Sequence, residues 1–128
     1  MAFPHGNRRA SGLPNLRCAM ESELKSLVQA LRDFAQARAW EPYHSPKNLA
    51  SALSVEAAEL LEHFQWLTEA QSRSLDPGKR AEVGAEMADV FLYLLQLADK
   101  LGIDLIDAAR RKMIVNAQKY PAPLDPSA

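Results

Sequence analysis

Between Met87 and Ala98 the chain is apolar almost all the way round a helix, with Asp89 set inside the run and Glu86 one turn before it. A helix apolar on most sides has to be covered on most sides, which places this stretch at the centre of the fold. An ionised carboxylate in such surroundings is costly unless it is paired or holds a metal. No Lys or Arg occurs between Arg80 and Lys100, so the helix cannot neutralise Asp89 itself.

An earlier stretch, Leu53 to Trp66, repeats the conflict. Leu49, Leu53, Leu60, Phe64 and Leu67 recur at helical spacing, and Glu56 falls inside their stripe. Glu59 borders the same stripe, since side chains three apart share a helix face. A lone Glu-x-x-Glu fits a solvated face with Glu56 reaching water at its edge. Two helices that each show an acidic pair on an apolar face fit a shared divalent cation better, because Glu is rarely buried unpaired. Glu56, Glu59, Glu86 and Asp89 are therefore the candidate metal ligands.

The rest of the chain supplies the frame. A first helix is expected from about Ser22 to Arg38, with Leu24, Leu27, Val28, Leu31 and Phe34 as its core stripe. Two prolines in Trp40-Glu-Pro-Tyr-His-Ser-Pro46 break the period, and Ser45-Pro46 opens a second helix running to about Thr68. Glu69 to Leu75 is polar and reads as a loop. Asp76-Pro77 opens a third helix that stops at Gly102, and Asp104 caps a fourth with Leu105, Ile106, Ala109 and Met113 facing inward. No strand-like alternation or internal repeat occurs, so the expected fold is all-α, a four-helix bundle. Residues 1–19 read as a flexible leader, 20–121 as the folded domain and 122–128 as a flexible tail. The helix-three surface exceeds what one small bundle covers, which predicts a homo-oligomer.

Composition narrows the class. The net charge of −1 argues against a nucleic-acid polymer as partner, and Cys18 is the single cysteine, so no internal disulfide can form. The apolar runs are too short or interrupted to span a membrane, and a cytoplasmic protein fits these features.

Hard cations such as Mg²⁺ take oxygen ligands and are held by a few carboxylates plus substrate phosphates. Such a metal offsets phosphate charge and acidifies a water, which is the equipment for hydrolysing a phosphoanhydride. On the fourth helix Lys112, Asn116 and Lys119 form one polar stripe. By itself that stripe fits a solvated basic face near a helix C-terminus. Beside an acidic cluster it is a candidate phosphate clamp, with Lys47 and Asn48 at the start of helix two as further donors. Trp40, Tyr43, His44, Trp66 and Tyr93 are aromatics suited to stacking a nucleobase, or to core and interface packing. A di-iron site is disfavoured: Glu59 and His63 are four apart instead of three, and helix three has no His. No Gly-rich elbow surrounds any Ser, and Cys18 lies in the leader.

Taken together, Glu56-x-x-Glu59 and Glu86-x-x-Asp89 resemble the signature of the MazG-like all-α nucleoside triphosphate pyrophosphatases. Trp40-Glu-Pro-Tyr-His44, Pro46-Lys-Asn-Leu49, Phe64-Gln-Trp66 and Lys119-Tyr-Pro121 are similar to the dCTP pyrophosphatase branch. The similarity covers roughly Leu24 to Pro121. The resemblance implies Mg²⁺ dependence, release of a nucleoside monophosphate and pyrophosphate, and a dimer or tetramer. It implies that Glu56, Glu59, Glu86 and Asp89 ligate the metal and that Trp40, His44, Trp66 and Tyr93 line the base and sugar pocket. Lys112, Asn116, Lys119 and Tyr120 would meet the phosphates, from a neighbouring subunit in one arrangement. The alternatives are the same fold acting on another nucleotide, and a non-catalytic helical interaction module.

Overall fold

The computed structural model describes residues 15–124. The expected leader up to Pro14 and the tail from Asp125 lie outside the described residues. Among the described residues every regular element is helical: α1 (Leu16–Ala37), α2 (Pro46–Glu62), α3 (Glu69–Ser72), α4 (Pro77–Leu101) and α5 (Leu105–Lys119), with a 3₁₀ turn at Glu41–Tyr43.

The caps are local chemistry. Ser45, Asp76 and Asp104 each accept a backbone N–H in the first turn of α2, α4 and α5, and Gly102 ends α4 in the left-handed conformation at φ 64°. α1 starts at Leu16, where the Asn15 side chain accepts from Arg17 N, six residues ahead of the expected start. α2 stops at Glu62, short of the expected Thr68. The polar segment after Thr68 is not a loop throughout. The Thr68 hydroxyl accepts from Gln71 N at 3.2 Å while Gln71 Oε1 accepts from Thr68 N at 2.9 Å, a capping box that closes the one-turn α3. At the end of α1, Ala39 takes φ 54°, which lets Trp40 N donate back to Ala35 O at 3.0 Å and turns the chain toward the 3₁₀ segment.

α4 is the central helix, as its composition requires. It packs chiefly against α2, and less extensively against α1, which it meets at Asp99. The α2–α4 pairing is antiparallel, since Glu56 meets Glu86 and Asp89 while His63, later in the chain, meets Glu82 and Glu86; α1 meets α4 through Arg32 and Asp99. The buried core is thin: Ala35, Leu49, Val83, Leu95 and Ala98. α5 departs from the expected bundle. Only Leu105, Ile106 and Ala108 are partly covered, and every residue from Ala109 to Leu124 is exposed, including Met113 at 72%. Met87 and Phe91 on α4 are exposed as well. The apolar stripes exist, but this chain alone does not cover them.

One polar tie fixes α1 on α4. Arg32 Nε donates to Asp99 Oδ2 at 2.8 Å, and a second guanidinium nitrogen donates to Asp99 Oδ1. These bonds hold the Asp99 carboxyl below the usual carboxylate range. A depressed folded-state pKa adds stability that is present above the unfolded value, about pH 4, and is lost as pH falls through the folded value. Thermal melts of the wild type should therefore lose more stability between neutral pH and pH ~3 than melts of Asp99→Asn. Parallel losses in the two proteins would mean that the pair contributes nothing.

Candidate metal centre

The antiparallel register of α2 and α4 brings the acidic pairs together. One oxygen from each of Glu56, Glu86 and Asp89 lies within 4.8 Å of the others, with Glu56 and Glu86 half-buried and Asp89 exposed. Glu59 stands beside Glu56 on the exposed side of α2. Burial pushes the Glu56 carboxyl above its ordinary pKa, Glu59 adds to this at hydrogen-bonding range, and the Asp89 and Glu86 charges push the same way.

Among the described residues no Lys or Arg forms an ion pair with Glu56, Glu86 or Asp89. Glu56 Oε2 and Glu86 Oε2 are both buried and without a hydrogen-bond partner. Buried carboxylate oxygens are almost always paired, so two orphans within a cluster of acids fit a site that takes a cation. The donor set is all oxygen, which fits a hard divalent ion and not a soft one.

One neighbour of the cluster carried no usable signal in the sequence. His63, the C-cap of α2, places Nε2 3.8 Å from Glu86 Oε1 and Nδ1 3.9 Å from Glu82 Oε2. Lys79 Nζ reaches the same Glu82 oxygen at 3.6 Å. Polar contact is thus made with one Glu86 oxygen while the other stays unpartnered. Only the register of α2 against α4 reveals this, since His63 and Glu86 are far apart in the chain.

A cavity of about 410 Å³ opens beside the acids between α1 and α4. Glu56 and Asp89 line it together with Phe34, Trp40, His44 and Tyr93. Trp40 packs edge-on to Phe34 at 5.7 Å and to His44 at 6.3 Å. Trp40, His44 and Tyr93 thus share this cavity with Glu56 and Asp89. Asn48 has a bracing role: its Nδ2 donates to Tyr43 O at 2.9 Å and holds the turn that carries Trp40 and His44.

The other predicted residues are not gathered here within this chain. Trp66 is 86% exposed in the turn after α2, Lys47 is exposed at the α2 N-terminus, and neither lines the cavity. Lys112, Asn116, Lys119 and Tyr120 all sit exposed on or after α5, and none lines the cavity.

An all-helical fold with a carboxylate cluster between two antiparallel helices, opening onto an aromatic cavity, defines a narrow class. A sequence model described as the MazG-like family matches residues 51–126, more than half of the chain. The chain belongs to the MazG-like family. Mouse dCTP pyrophosphatase 1 is 36% identical over 121 residues, which cover 93% of this chain and 71% of that protein. Human dCTP pyrophosphatase 1 is 39% identical over 106 residues, covering 81% of this chain and 62% of the human protein. The crystal structure of a pyrophosphatase from Archaeoglobus fulgidus superposes with a TM-score of 0.74 at 44% identity, covering 78% of this chain and 94% of that one.

Proposed function

We propose that this chain is a Mg²⁺-dependent nucleoside triphosphate pyrophosphohydrolase that converts dCTP, or modified and non-canonical deoxynucleoside triphosphates, to the monophosphate and pyrophosphate. In class it is a hydrolase of phosphoanhydride bonds, in keeping with its pyrophosphatase relatives. One observation carries the reading: the orphaned, buried oxygens of Glu56 and Glu86 belong to an acidic cluster whose Glu56 and Asp89 line an aromatic cavity sized for a nucleoside. Bound there, Mg²⁺ would offset phosphate charge and acidify a water.

The remaining roles belong to side chains. Glu56, Glu59, Glu86 and Asp89 hold the metal. Trp40 and Tyr93 stack the base and sugar, with His44 at the cavity wall. Lys112, Asn116, Lys119 and Tyr120 meet the β and γ phosphates from α5 of a second copy, because α5 lies uncovered in its own chain. Lys47 adds a donor at the α2 N-terminus, and Trp66 closes the site from an adjoining subunit. A dimer or tetramer is the working unit, and it acts on free nucleotides in the cytoplasm with neither a nucleic-acid polymer nor a membrane as partner. No helix among the described residues is long and apolar enough to cross a membrane.

The test is a panel of NTPs and dNTPs, with and without Mg²⁺, in which pyrophosphate and orthophosphate are detected separately. The expected result is pyrophosphate release, highest with dCTP and abolished by chelation. A higher rate on another nucleotide would move the substrate within the same fold. No release from any nucleotide would favour an inert helical module.

A further inference from the structure

The carboxylates lie at one end of the aromatic cavity, and what lies further along α4 has no role in the mechanism so far. Asp89, Tyr93 and Gln96 all line the cavity from the same face of that helix. Seven residues of helix separate Asp89 from Gln96, a rise of about 10 Å. That is roughly the reach of a nucleotide from its α phosphate to the far edge of a pyrimidine. With the phosphates at the acids and the sugar beside Tyr93, the base edge arrives at Gln96.

Gln96 is half-buried, and its side chain makes no hydrogen bond among the described residues. An amide in that state has donors and an acceptor to spare, and leaving them unmade is costly once a ligand excludes water. With Tyr93 beside the sugar and the acids at the phosphates, no other side chain of the cavity wall substitutes for it. Leu27, Ala30, Leu31, Ala35 and Leu92 offer no polar side-chain atoms, and Phe34 offers none either. The Trp40 indole only donates, and a His44 ring nitrogen presents a single donor or acceptor on each side. A carboxamide alone presents a donor and an acceptor side by side in one plane, matching the adjacent ring nitrogen and exocyclic amine of cytosine.

We infer that Gln96 is the specificity-determining residue of this site, its carboxamide donating to N3 of cytosine and accepting from the exocyclic amine. The inference rests on the dCTP reading above and deepens it. The test is a cycle of two enzymes and two substrates. Wild type and Gln96→Met, which keeps shape and loses polarity, are each assayed on dCTP and on the 2-pyrimidinone deoxynucleoside triphosphate that lacks the amine. Gln96→Glu, which keeps the acceptor and loses the donor, is the second variant, and circular dichroism checks that all three fold alike.

On dCTP, Gln96→Met should lower kcat/KM roughly tenfold, chiefly through KM. On the analogue the loss should be threefold or less, and Gln96→Glu should fall between the other two on dCTP. Equal losses on both substrates would assign Gln96 a packing role and overturn the inference, as would no loss on dCTP. A wild type that hydrolyses other nucleotides but not dCTP would also overturn it, while one that hydrolyses none would remove the underlying functional reading as well.

Discussion

Glu86→Gln and Asp89→Asn should each reduce pyrophosphate release from dCTP at saturating Mg²⁺ by at least about a thousandfold, while the protein stays helical. The size follows from the geometry. Three carboxylates bring one oxygen each within 4.8 Å, and removing any one strips both charge and a ligand from a site with few to spare. Glu59→Gln should behave in the same direction. Folding should respond in the opposite sense to activity. Without metal, like charges crowd Glu56, and burial already holds its carboxyl above the ordinary pKa. A group whose folded pKa is raised costs stability once the pH exceeds its unfolded value, so neutralising a neighbour relieves that cost. The metal-free variants should melt about 2–5 °C higher than wild type. In the wild type, by contrast, Mg²⁺ should raise Tm, since a ligand bound only by the folded state stabilises it. Near wild-type activity in any of these variants would mean that the cluster is not the metal site.

Mixing two dead variants should restore activity, and this is the second large effect. Lys112→Ala with Lys119→Ala removes the basic stripe of α5, and Asp89→Asn removes the metal site. Each alone should be inactive. If α5 completes a neighbour's site, a mixed dimer holds one intact site, and about a quarter of all sites are restored by random assembly. The uncovered surface argues for such an assembly. Met113, Ile114 and Val115 are exposed on α5, Met87 and Phe91 on α4, and among the described residues only five apolar side chains are buried. Exposed large apolar side chains in that number fit an association surface. Ile114→Glu should dissociate the assembly and lower activity with it, since an unpaired charge cannot be buried cheaply. Light scattering should show a dimer or tetramer for the wild type. A monomer at micromolar concentration, or no regain on mixing, would place the phosphate contacts elsewhere.

The central helix and the acidic cluster were legible in the sequence because both rest on one conflict, charge inside an apolar run. Asp89 in Met87–Ala98 pointed to a central helix, and the structure has α4 packed on α2 and α1, with Asp89 grouped with Glu56 and Glu86; within this chain, however, Met87, Asp89 and Phe91 are exposed and not covered. The caps were legible too, since Ser45, Asp76 and Asp104 act within one turn. Met113 shows the limit. Helical periodicity reports that a stripe is apolar, and it is silent on whether the same chain covers it; here Met113 is exposed. α3 escaped notice because Thr68 and Gln71 make a capping box inside a segment with no apolar period. His63 and Gln96 carry no motif. Their neighbours, Glu86 for one and the cavity wall for the other, are set by how helices pack.

Where the triphosphate is cut tests the whole account in one measurement. On the proposed reading, aromatics hold the base in the cavity, basic side chains hold the outer phosphates, and the α phosphorus is left nearest the acids. Hydrolysis of dCTP with Mg²⁺ in ¹⁸O-labelled water, read by mass spectrometry of both products, should give labelled dCMP and unlabelled pyrophosphate, with dCDP and orthophosphate absent. Label in the pyrophosphate, or orthophosphate as the product, would contradict the placement of the nucleotide between the cavity and the basic stripe.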